Sequence, residues 1–537
     1  MKKIITFLSK DSTGKKTAQD YYSVGCAKDN LQDFKGAIAD YTRALEIDPK
    51  YAEVYFRRGN TKCELQDYRG AIADYTNAIR LGTKTIEVYN NRGIAKGGIQ
   101  DQNGAITDFS SAIEIDPKNA DAYFNRGVAK NILQDYIGAI ADFSNTIEID
   151  PTSADAHNNM GNAMSAIKDY SGAINKYTIA IALDPKNASA YQNRGIVKAN
   201  LQDSSGAIAD FTIAISLDSK YASNYYNRGL AKVFLNDNKG AIADVEIALE
   251  IDSKYEDAYN IRGLAHSNLQ DYTGAVSDYT NAIQINPKSD VAYYNRGRAK
   301  WELLDYQGAI TDFSKALEID PMNEDAYFNR GQTKESLQDF RGAIADYTKA
   351  LVINPMAVET YCNRGNAKSN IEDHRGAIDD ISKAIEINPN LAEGYNNRGT
   401  EKLHIQDFKG AIADYNKAIE INPKEINSYI NRGTAKMNLN DYTGAIDDFS
   451  KAIEINQRFE VSYFNRGNVK LRIRDFEGAI DDYTEAIEIN PKFAAAYCYR
   501  GVAKNELGLK ISGCLDLHKA GDLGFTKVYE IIKKYCN

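Results

Sequence analysis

Residues 52–85 read AEVYFRRGNTKCELQDYRGAIADYTNAIRLGTKT, and this 34-residue pattern begins again at Ile86 and at Ala120. A glycine at its eighth position marks each of fifteen copies, which follow one another without an inserted residue. The marker glycines are Gly25, Gly59, Gly93, Gly127, Gly161, Gly195, Gly229, Gly263, Gly297, Gly331, Gly365, Gly399, Gly433, Gly467 and Gly501. A fixed period of this length indicates a repeat array, in which each unit buries its apolar face against its neighbours.

Each copy contains two stretches with helical spacing. The first includes Tyr55 and Gly59, and the second includes Ala71, Tyr75 and Ala78, spaced i, i+4 and i+7. Asp67 stands between them and is a good N-cap for the second helix. All ten prolines of the chain fall at one repeat position, just after the second stretch, where proline ends a helix. The pattern therefore predicts a helix–turn–helix unit.

This pattern resembles the tetratricopeptide repeat, whose signature is W-x2-L-G-x2-Y, then A-x3-F, then P. Tyr55, Gly59, Ala71, Tyr75 and Ala78 stand at the signature positions, and the resemblance covers residues 18–522. It implies an all-α, right-handed superhelical solenoid of about fifteen 34-residue repeats, with a groove lined by the first helices. We expect residues 1–17 to form a flexible N-terminal leader and residues 523–537 to form a C-terminal capping helix.

The chain departs from the signature at two positions that border the packed side of the first helix. Thirteen of fifteen copies have arginine directly before the marker glycine, and thirteen have lysine three residues after it. A buried cation needs a partner, and the second helix offers an aspartate in fourteen copies. The fifth copy loses all three together, with Met160, Met164 and Lys176. We therefore predict a structural ion pair between the two helices of each ordinary repeat.

Composition excludes several classes of function. The formal net charge is -9, without a basic block, which argues against a nucleic-acid partner. No apolar run reaches the length of a membrane span. The six cysteines have no C-x-x-C spacing, so we interpret them as free thiols of a reducing compartment. The N-terminal MKKIITFL is too short for a signal peptide, and a cytoplasmic location is expected.

Motifs for catalysis are absent from the sequence. It contains no phosphate-binding loop, nucleophile elbow, H-E-x-x-H motif or glycine-rich dinucleotide turn. The five histidines occupy different repeat positions. We therefore predict a protein that is not an enzyme, with no catalytic residue, no cofactor and no metal site.

The clearest candidate for a binding site is a row of asparagines, one step before the arginines. Eleven copies carry this residue, which we call the ladder asparagines: Asn91, Asn125, Asn159, Asn193, Asn227, Asn295, Asn329, Asn363, Asn397, Asn431 and Asn465. The row resembles the asparagine ladder in the repeat region of the O-linked N-acetylglucosamine transferases, without their catalytic domain. Because amides donate and accept hydrogen bonds, the ladder is expected to hold an extended peptide by its backbone. The alternative is that these amides only bond neighbouring helices.

Acidic residues recur near the start of each first helix: Glu53, Glu87, Asp121, Asp155, Asp257, Asp325, Glu359 and Glu393. The cations that chaperone-binding members of the family use to clamp a terminal carboxylate are missing there. A neutral or basic extended segment suits this charge better. The sequence thus predicts a non-enzymatic scaffold that binds a protein or peptide. Alternatives are a self-associating structural module, or a recruiting fragment of a larger enzyme or complex.

Overall fold

The computed structural model of the protein describes residues 16–536, and all its helices in that range are α-helices. Contacts divide the chain between Gln270 and Asp271 into two compact units. In the first unit the helices are α1 (Ala18–Asp29), α2 (Phe34–Ile47), α3 (Ala52–Glu64), α4 (Tyr68–Arg80), α5 (Ile86–Gly98), α6 (Gln102–Ile115), α7 (Ala120–Ile132), α8 (Tyr136–Ile149), α9 (Ala154–Ala166), α10 (Tyr170–Leu183), α11 (Ala188–Asn200), α12 (Ser204–Leu217), α13 (Ala222–Phe234), α14 (Asn238–Ile251) and α15 (Glu256–Asn268).

In the second unit the helices are α16 (Tyr272–Ile285), α17 (Asp290–Glu302), α18 (Tyr306–Ile319), α19 (Glu324–Ser336), α20 (Phe340–Ile353), α21 (Val358–Asn370), α22 (His374–Ile387), α23 (Ala392–His404), α24 (Phe408–Ile421), α25 (Ile426–Asn438), α26 (Tyr442–Ile455), α27 (Glu460–Arg472), α28 (Phe476–Ile489), α29 (Ala494–Glu506), α30 (Lys510–Asp522) and α31 (Val528–Tyr535). Odd-numbered helices are first helices and even-numbered helices are second helices of the repeats. Within each unit, every helix packs against the next one along the chain. The helix–turn–helix prediction is confirmed.

The second helices begin where the sequence predicts. Asp67 caps α4 by accepting a hydrogen bond from the amide of Gly70 at 3.0 Å, and the same cap recurs in the other repeats from Asp33 to Asp475. A Cβ at Gly70 would lie 2.1 Å from the Asp67 carboxylate. A side chain at this position would therefore displace the capping carboxylate.

The core of most repeats is an aromatic ring from the second helix that lies against the marker glycine, and Val245, Ile381 or Leu517 takes its place in three repeats. At Gly331 an added Cβ would lie 2.6 Å from the ring of Tyr347, which is fully buried. Alanines such as Ala343 and Ala350 flank the ring and are also fully buried. The large ring thus fills the space left by small residues, as close packing requires.

The predicted ion pair is present and links three elements. Asp346 is buried and binds the Arg330 guanidinium through two hydrogen bonds of 2.6 and 2.9 Å, while Lys334 lies 2.7 Å from the same carboxylate. The third guanidinium nitrogen of Arg330 donates to Ser314 in the preceding repeat at 2.9 Å. The guanidinium also lies over the ring of Tyr327, 5.5 Å from its centroid. The arginine therefore joins two helices of one repeat to the repeat before it.

The fifth repeat replaces this ionic arrangement with apolar packing. Met160 is buried in a cluster that includes Ala139, Phe143 and Ala163. Lys176 stands at the aspartate position and forms no ion pair within residues 16–536. His157, in place of the usual tyrosine, is buried, and burial lowers its pKa with a further contribution from the charge of Lys176.

The turn between first and second helices uses a left-handed residue that is rarely glycine. Fourteen non-glycine residues have φ between 61° and 65°, among them Gln66, Gln338 and Leu304, and only the last repeat has glycine, Gly508, at this position. The amide after this residue bonds back to the first helix, as from Asp67 to the Lys62 carbonyl at 2.9 Å. Glycine is the usual choice in this conformation, whereas glutamine is the commonest residue at these turns.

The C-terminal segment forms α31, as the sequence predicts, and α31 packs on α29 and α30. Val528 lies one full period after Ala494, so α31 takes the place of a further first helix, with Tyr535 at the position of the marker glycine. The domain boundaries at residues 18 and 523 stay predictions. Residues 1–15 of the predicted leader lie outside the described residues, and Thr17 caps α1.

The interpretation of all six cysteines as free thiols is wrong for one pair. Cys514 on α30 and Cys536 after α31 form a disulfide, with their Cα atoms 5.7 Å apart. They meet because α31 returns alongside α30, which their sequence spacing does not reveal. The other four cysteines are free. Disulfides are rare in reducing compartments, so the cysteines no longer support the predicted cytoplasmic location.

We predict that Leu304→Gly stabilises the protein by about 0.5–1 kcal/mol. Glycine adopts the left-handed backbone conformation of this turn without the steric strain that the Cβ atom of leucine causes there. The Leu304 side chain is 70% exposed, so little packing is lost. Thermal unfolding followed by circular dichroism measures the effect. The matched control is Gly508→Ala at the equivalent turn, where φ is +86°, and it should lower the melting temperature. A lower melting temperature for Leu304→Gly contradicts the prediction.

We also predict that Asp346→Ala destabilises the tenth repeat by about 3–5 kcal/mol, because two partly buried cations lose their partner. Hydrogen exchange over residues 324–353 reads out this local stability. The triple variant Arg330→Met, Lys334→Met, Asp346→Lys copies the residues of the fifth repeat. It should lose less of this local stability than Asp346→Ala. Equal protection in Asp346→Ala and the wild type would show that the ion pair contributes nothing.

Candidate functional site on the first-helix face

First helices of consecutive repeats contact one another within each unit, for example α3 with α5 and α17 with α19. They therefore form a continuous surface in each unit, which we call the first-helix face. All eleven ladder asparagines lie in first helices, and each is half-buried. Their side chains are thus less open than the sequence alone suggests.

Three ladder asparagines donate their side-chain amides to an asparagine of the preceding repeat. Asn91 donates to the Asn60 carbonyl oxygen at 3.0 Å, and Asn193 donates to Asn162 at 2.9 Å. Asn431 donates to Asn396 at 3.2 Å. We call Asn91, Asn193 and Asn431 the tied asparagines. Their bonds match the alternative interpretation of the ladder, in which these amides serve packing.

Three further members bond nearby groups. Asn159 donates to the backbone carbonyl of Asp155 at 2.9 Å. Asn329 donates to the carbonyl of Asp325 at 2.8 Å and to the Tyr294 hydroxyl at 3.1 Å. Asn397 accepts a long bond of 3.4 Å from Asn396. Each of these amides keeps part of its hydrogen-bonding capacity.

The remaining five ladder asparagines have no side-chain hydrogen bond within the described residues. We call them the unpartnered asparagines: Asn125, Asn227, Asn295, Asn363 and Asn465. A half-buried amide without a partner has two donors and an acceptor to offer to a ligand. The ladder is therefore a mixed row rather than a uniform one.

The residue after the marker glycine provides the acceptor for two of the tied asparagines, and the sequence analysis missed this signal. Asn60 and Asn162 each accept a hydrogen bond of 2.8 Å from a buried second-helix tyrosine, Tyr75 and Tyr177 respectively. Three of the five repeats with phenylalanine at the second-helix position have an apolar residue there, as in Phe109 with Ile94 and Phe143 with Val128, whereas the repeats of Phe313 and Phe449 have Arg298 and Thr434. Tyrosine is present where its hydroxyl finds a partner at this position or nearby.

In two repeats the same residue also accepts a hydrogen bond from the next ladder asparagine. Asn60 and Asn162 accept from the tyrosine below and from the ladder asparagine of the following repeat. Ile94 and Ile196 offer no acceptor, and the asparagines that follow them, Asn125 and Asn227, are unpartnered. This correspondence does not extend to every repeat, because Asn363 and Asn465 are unpartnered although Gln332 and Thr434 stand at this position in the preceding repeats.

The aromatic residues beside the ladder are partly committed to packing. Phe124, Tyr294, Phe328 and Phe464 are half-buried, and each ring lies 5.9 Å from the ring of a second-helix aromatic. Such tilted contacts stabilise aromatic pairs. These residues lie beside the ladder on the first-helix face, and each ring also packs against the second helix of its own repeat.

The recurring acids form an exposed rim of the first-helix face. Seven of the eight are exposed, and Glu53 is half-buried beside Arg57, with an Oε1–Nε distance of 2.9 Å. They occur in consecutive repeats from Glu53 to Asp155 and again from Asp325 to Glu393. The rim carries negative charge toward whatever binds the face.

Two cavities open on this face in the first unit. One has a volume of about 730 Å³ and is lined by residues of the second, third and fourth repeats, including Phe56, Glu87, Asn91 and Asp121. The other, of about 350 Å³, is lined by Asn60, Tyr75 and Asn91 with their neighbours. The first lies within the usual volume of ligand sites.

Comparison with known proteins identifies the class that this architecture defines. Family models described as TPR repeat match residues 30–62, 99–130 and 305–338. Models described as tetratricopeptide repeat match residues 256–289, 324–355, 358–391, 392–425, 426–459 and 461–493. These segments span more than half of the chain. The protein belongs to the tetratricopeptide repeat family, whose repeats form protein-interaction scaffolds and are generally non-catalytic.

Solved structures similar to this chain include three repeat proteins. The structure titled MamA is 26% identical, covers 30% of this chain and 95% of its own, and has a TM-score of 0.29. YrrB, titled a TPR protein with an unusual peptide-binding site, is 24% identical over 34% of this chain and 95% of its own, with a TM-score of 0.31. A tetratricopeptide repeat protein from Parabacteroides merdae is 19% identical over 46% of this chain and 98% of its own, with a TM-score of 0.38.

No curated protein sequence matches the chain. Among residues 16–536, no helix combines the length and the apolar character that crossing a membrane requires.

The buried tyrosines predict how stability depends on pH. Burial raises the pKa of the Tyr415 phenol to about 12. A group whose folded pKa is raised stabilises the fold fully below its unfolded pKa, about 10, and this contribution is lost as the pH rises toward 12. Tyr415→Phe should therefore show a smaller loss of melting temperature between pH 9 and about 11.5 than the wild type. Tyr221→Phe, at an exposed tyrosine, is the control, and equal losses in all three proteins would contradict the prediction.

Proposed function

We propose that this protein is a non-enzymatic scaffold that binds an extended peptide or protein segment along its first-helix face. The observation that carries the proposal is the set of five unpartnered asparagines, half-buried on one continuous surface per unit. A peptide backbone offers both donors and acceptors at regular intervals, which is what free side-chain amides can bind. Recognition of the backbone leaves the partner's side chains free to vary.

The charge of the face favours a neutral or basic partner. Exposed acids such as Asp325, Glu359 and Glu393 stand at the start of consecutive first helices. An acidic segment would meet repulsion along this rim, whereas lysine and arginine side chains would be attracted to it. The attraction between exposed charges weakens as salt increases.

The distinction between tied and unpartnered asparagines gives a sharp test. We predict that Asn295→Ala, Asn363→Ala and Asn465→Ala together weaken the binding of extended peptides by at least about tenfold, because each amide contributes about 0.5–1.5 kcal/mol. Melting should change little, since none of the three bonds another described residue. Binding is measured on peptide arrays and then by fluorescence anisotropy with the full chain, at low and high salt.

The matched control changes three tied asparagines, Asn91→Ala, Asn193→Ala and Asn431→Ala. It removes the same number of amides but breaks contacts between repeats, so it should lower the melting temperature more and peptide affinity less. Equal affinity of the wild type and the unpartnered variant would overturn the ladder as a peptide grip. Absence of peptide binding to the wild type would overturn the proposed function, and sedimentation would then test self-association.

A further inference from the structure

The cavity of about 730 Å³ in the first unit lies where the repeat pattern is interrupted. Ordinary second helices continue to a residue such as Ile47 before a proline, but α4 ends at Arg80 and the chain turns through Gly82, with φ of 107°. Thr83 replaces the proline, and Thr85 caps α5. Both threonines line the cavity, so this irregular junction forms one of its walls.

The carboxylates of the cavity are not equivalent. Glu53 is paired with Arg57, whereas Glu87 and Asp121 are exposed and have no lysine, arginine or histidine within 4 Å among residues 16–536. Hydrogen bonds from its own backbone amide and from the Thr85 hydroxyl lower the pKa of Glu87. Glu87 is therefore ionised at neutral pH, and the cavity has an excess of negative charge.

The neutral polar groups of the cavity include a buried acceptor that lacks a donor. The Asn90 carbonyl oxygen is buried and has no hydrogen-bond partner within the described chain, while its amide nitrogen bonds Asn119 at 3.5 Å. The Asn60 carbonyl oxygen already accepts from Tyr75 and Asn91. A buried acceptor without a donor costs free energy that a ligand can recover.

A cationic side chain satisfies these conditions together. It would bring positive charge to Glu87 and Asp121 and a donor to Asn90, and Phe56 in the cavity wall offers an apolar surface for its aliphatic stem. Arginine suits the site better than lysine, because its planar guanidinium has five donors that can reach several acceptors at once.

We infer that this cavity is a specific site for an arginine side chain of the bound segment. The inference rests on the proposed function, since the arginine belongs to the extended peptide. It goes further by fixing one residue type of the partner and the place in the first unit where that residue binds. The first unit would then set the register of the peptide, which backbone contacts to the ladder alone leave free.

The test uses the full chain and two labelled peptides in extended, glycine- and serine-rich sequence. One contains a single central arginine, and the other has citrulline in its place, which keeps the shape and removes the charge. We expect the wild type to bind the arginine peptide about tenfold more tightly, as charge-assisted hydrogen bonds to ionised groups imply. The double variant Glu87→Gln, Asp121→Asn should lose this preference.

The matched control is the double variant Asp447→Asn, Asp481→Asn. These residues are exposed on the second helices α26 and α28, away from the first-helix face. Both double variants remove two negative charges, and thermal unfolding checks that both keep the fold. The control should keep the arginine preference, which separates the cavity from a general effect of net charge.

The outcomes distinguish the two proposals. Equal binding of the arginine and citrulline peptides by the wild type overturns the inference and leaves the proposed function standing. A preference that survives in Glu87→Gln, Asp121→Asn, or that is lost equally in the control, also overturns the cavity as its source. If the wild type binds neither peptide, nor any peptide of the array, both proposals fail.

Discussion

The interaction on which the rest of the structure depends is the buried aspartate of the second helix with its arginine. Two nitrogens of a single guanidinium donate hydrogen bonds to the aspartate, and the third donates to a hydroxyl of the preceding repeat. The guanidinium also lies over a tyrosine ring. All three guanidinium nitrogens are thereby bonded, which holds in place a long side chain that would otherwise be mobile. The contact to the preceding repeat comes from the same guanidinium group. The packing of the two helices within one repeat is therefore coupled to the packing of that repeat on the preceding one.

The fifth repeat shows that this ionic arrangement is not the only solution. With Met160 in the arginine position, the same space is filled by a methionine that packs beside Phe143. Apolar packing avoids the cost of removing charges from water, whereas the bidentate pair fixes the relative rotation of two helices through its geometry. We interpret the recurring ion pair as a means of aligning the helices, which a row of binding groups on the neighbouring face of the same helix requires.

The sequence alone was sufficient for the fold, because its signals are local and recur in every period. Glycine opposite a second-helix aromatic, the aspartate N-cap and the arginine–aspartate pair were all readable from spacing. The contact of Arg330 with Ser314 recurs in other repeats at the same separation of 16 residues, but it was missed because the partner lies in the preceding repeat and is threonine, serine or asparagine. The acceptor role of Asn60 was not readable, because the residue at its position differs from repeat to repeat. The disulfide was also hidden, since its formation depends on the return of α31 along α30.

The constant period has a consequence for how such a chain can change over time. Each repeat contacts mainly the repeats on either side, and the fifteen marker glycines follow one another at a single spacing. Recombination between two equivalent codons would remove or add whole units, and the surfaces brought together would already be complementary. The number of ladder asparagines, and with it the length of segment held, can thus be altered in evolution without inventing a new interface. The irregular junction at Thr83 is different, because a copy lost there would take its cavity with it.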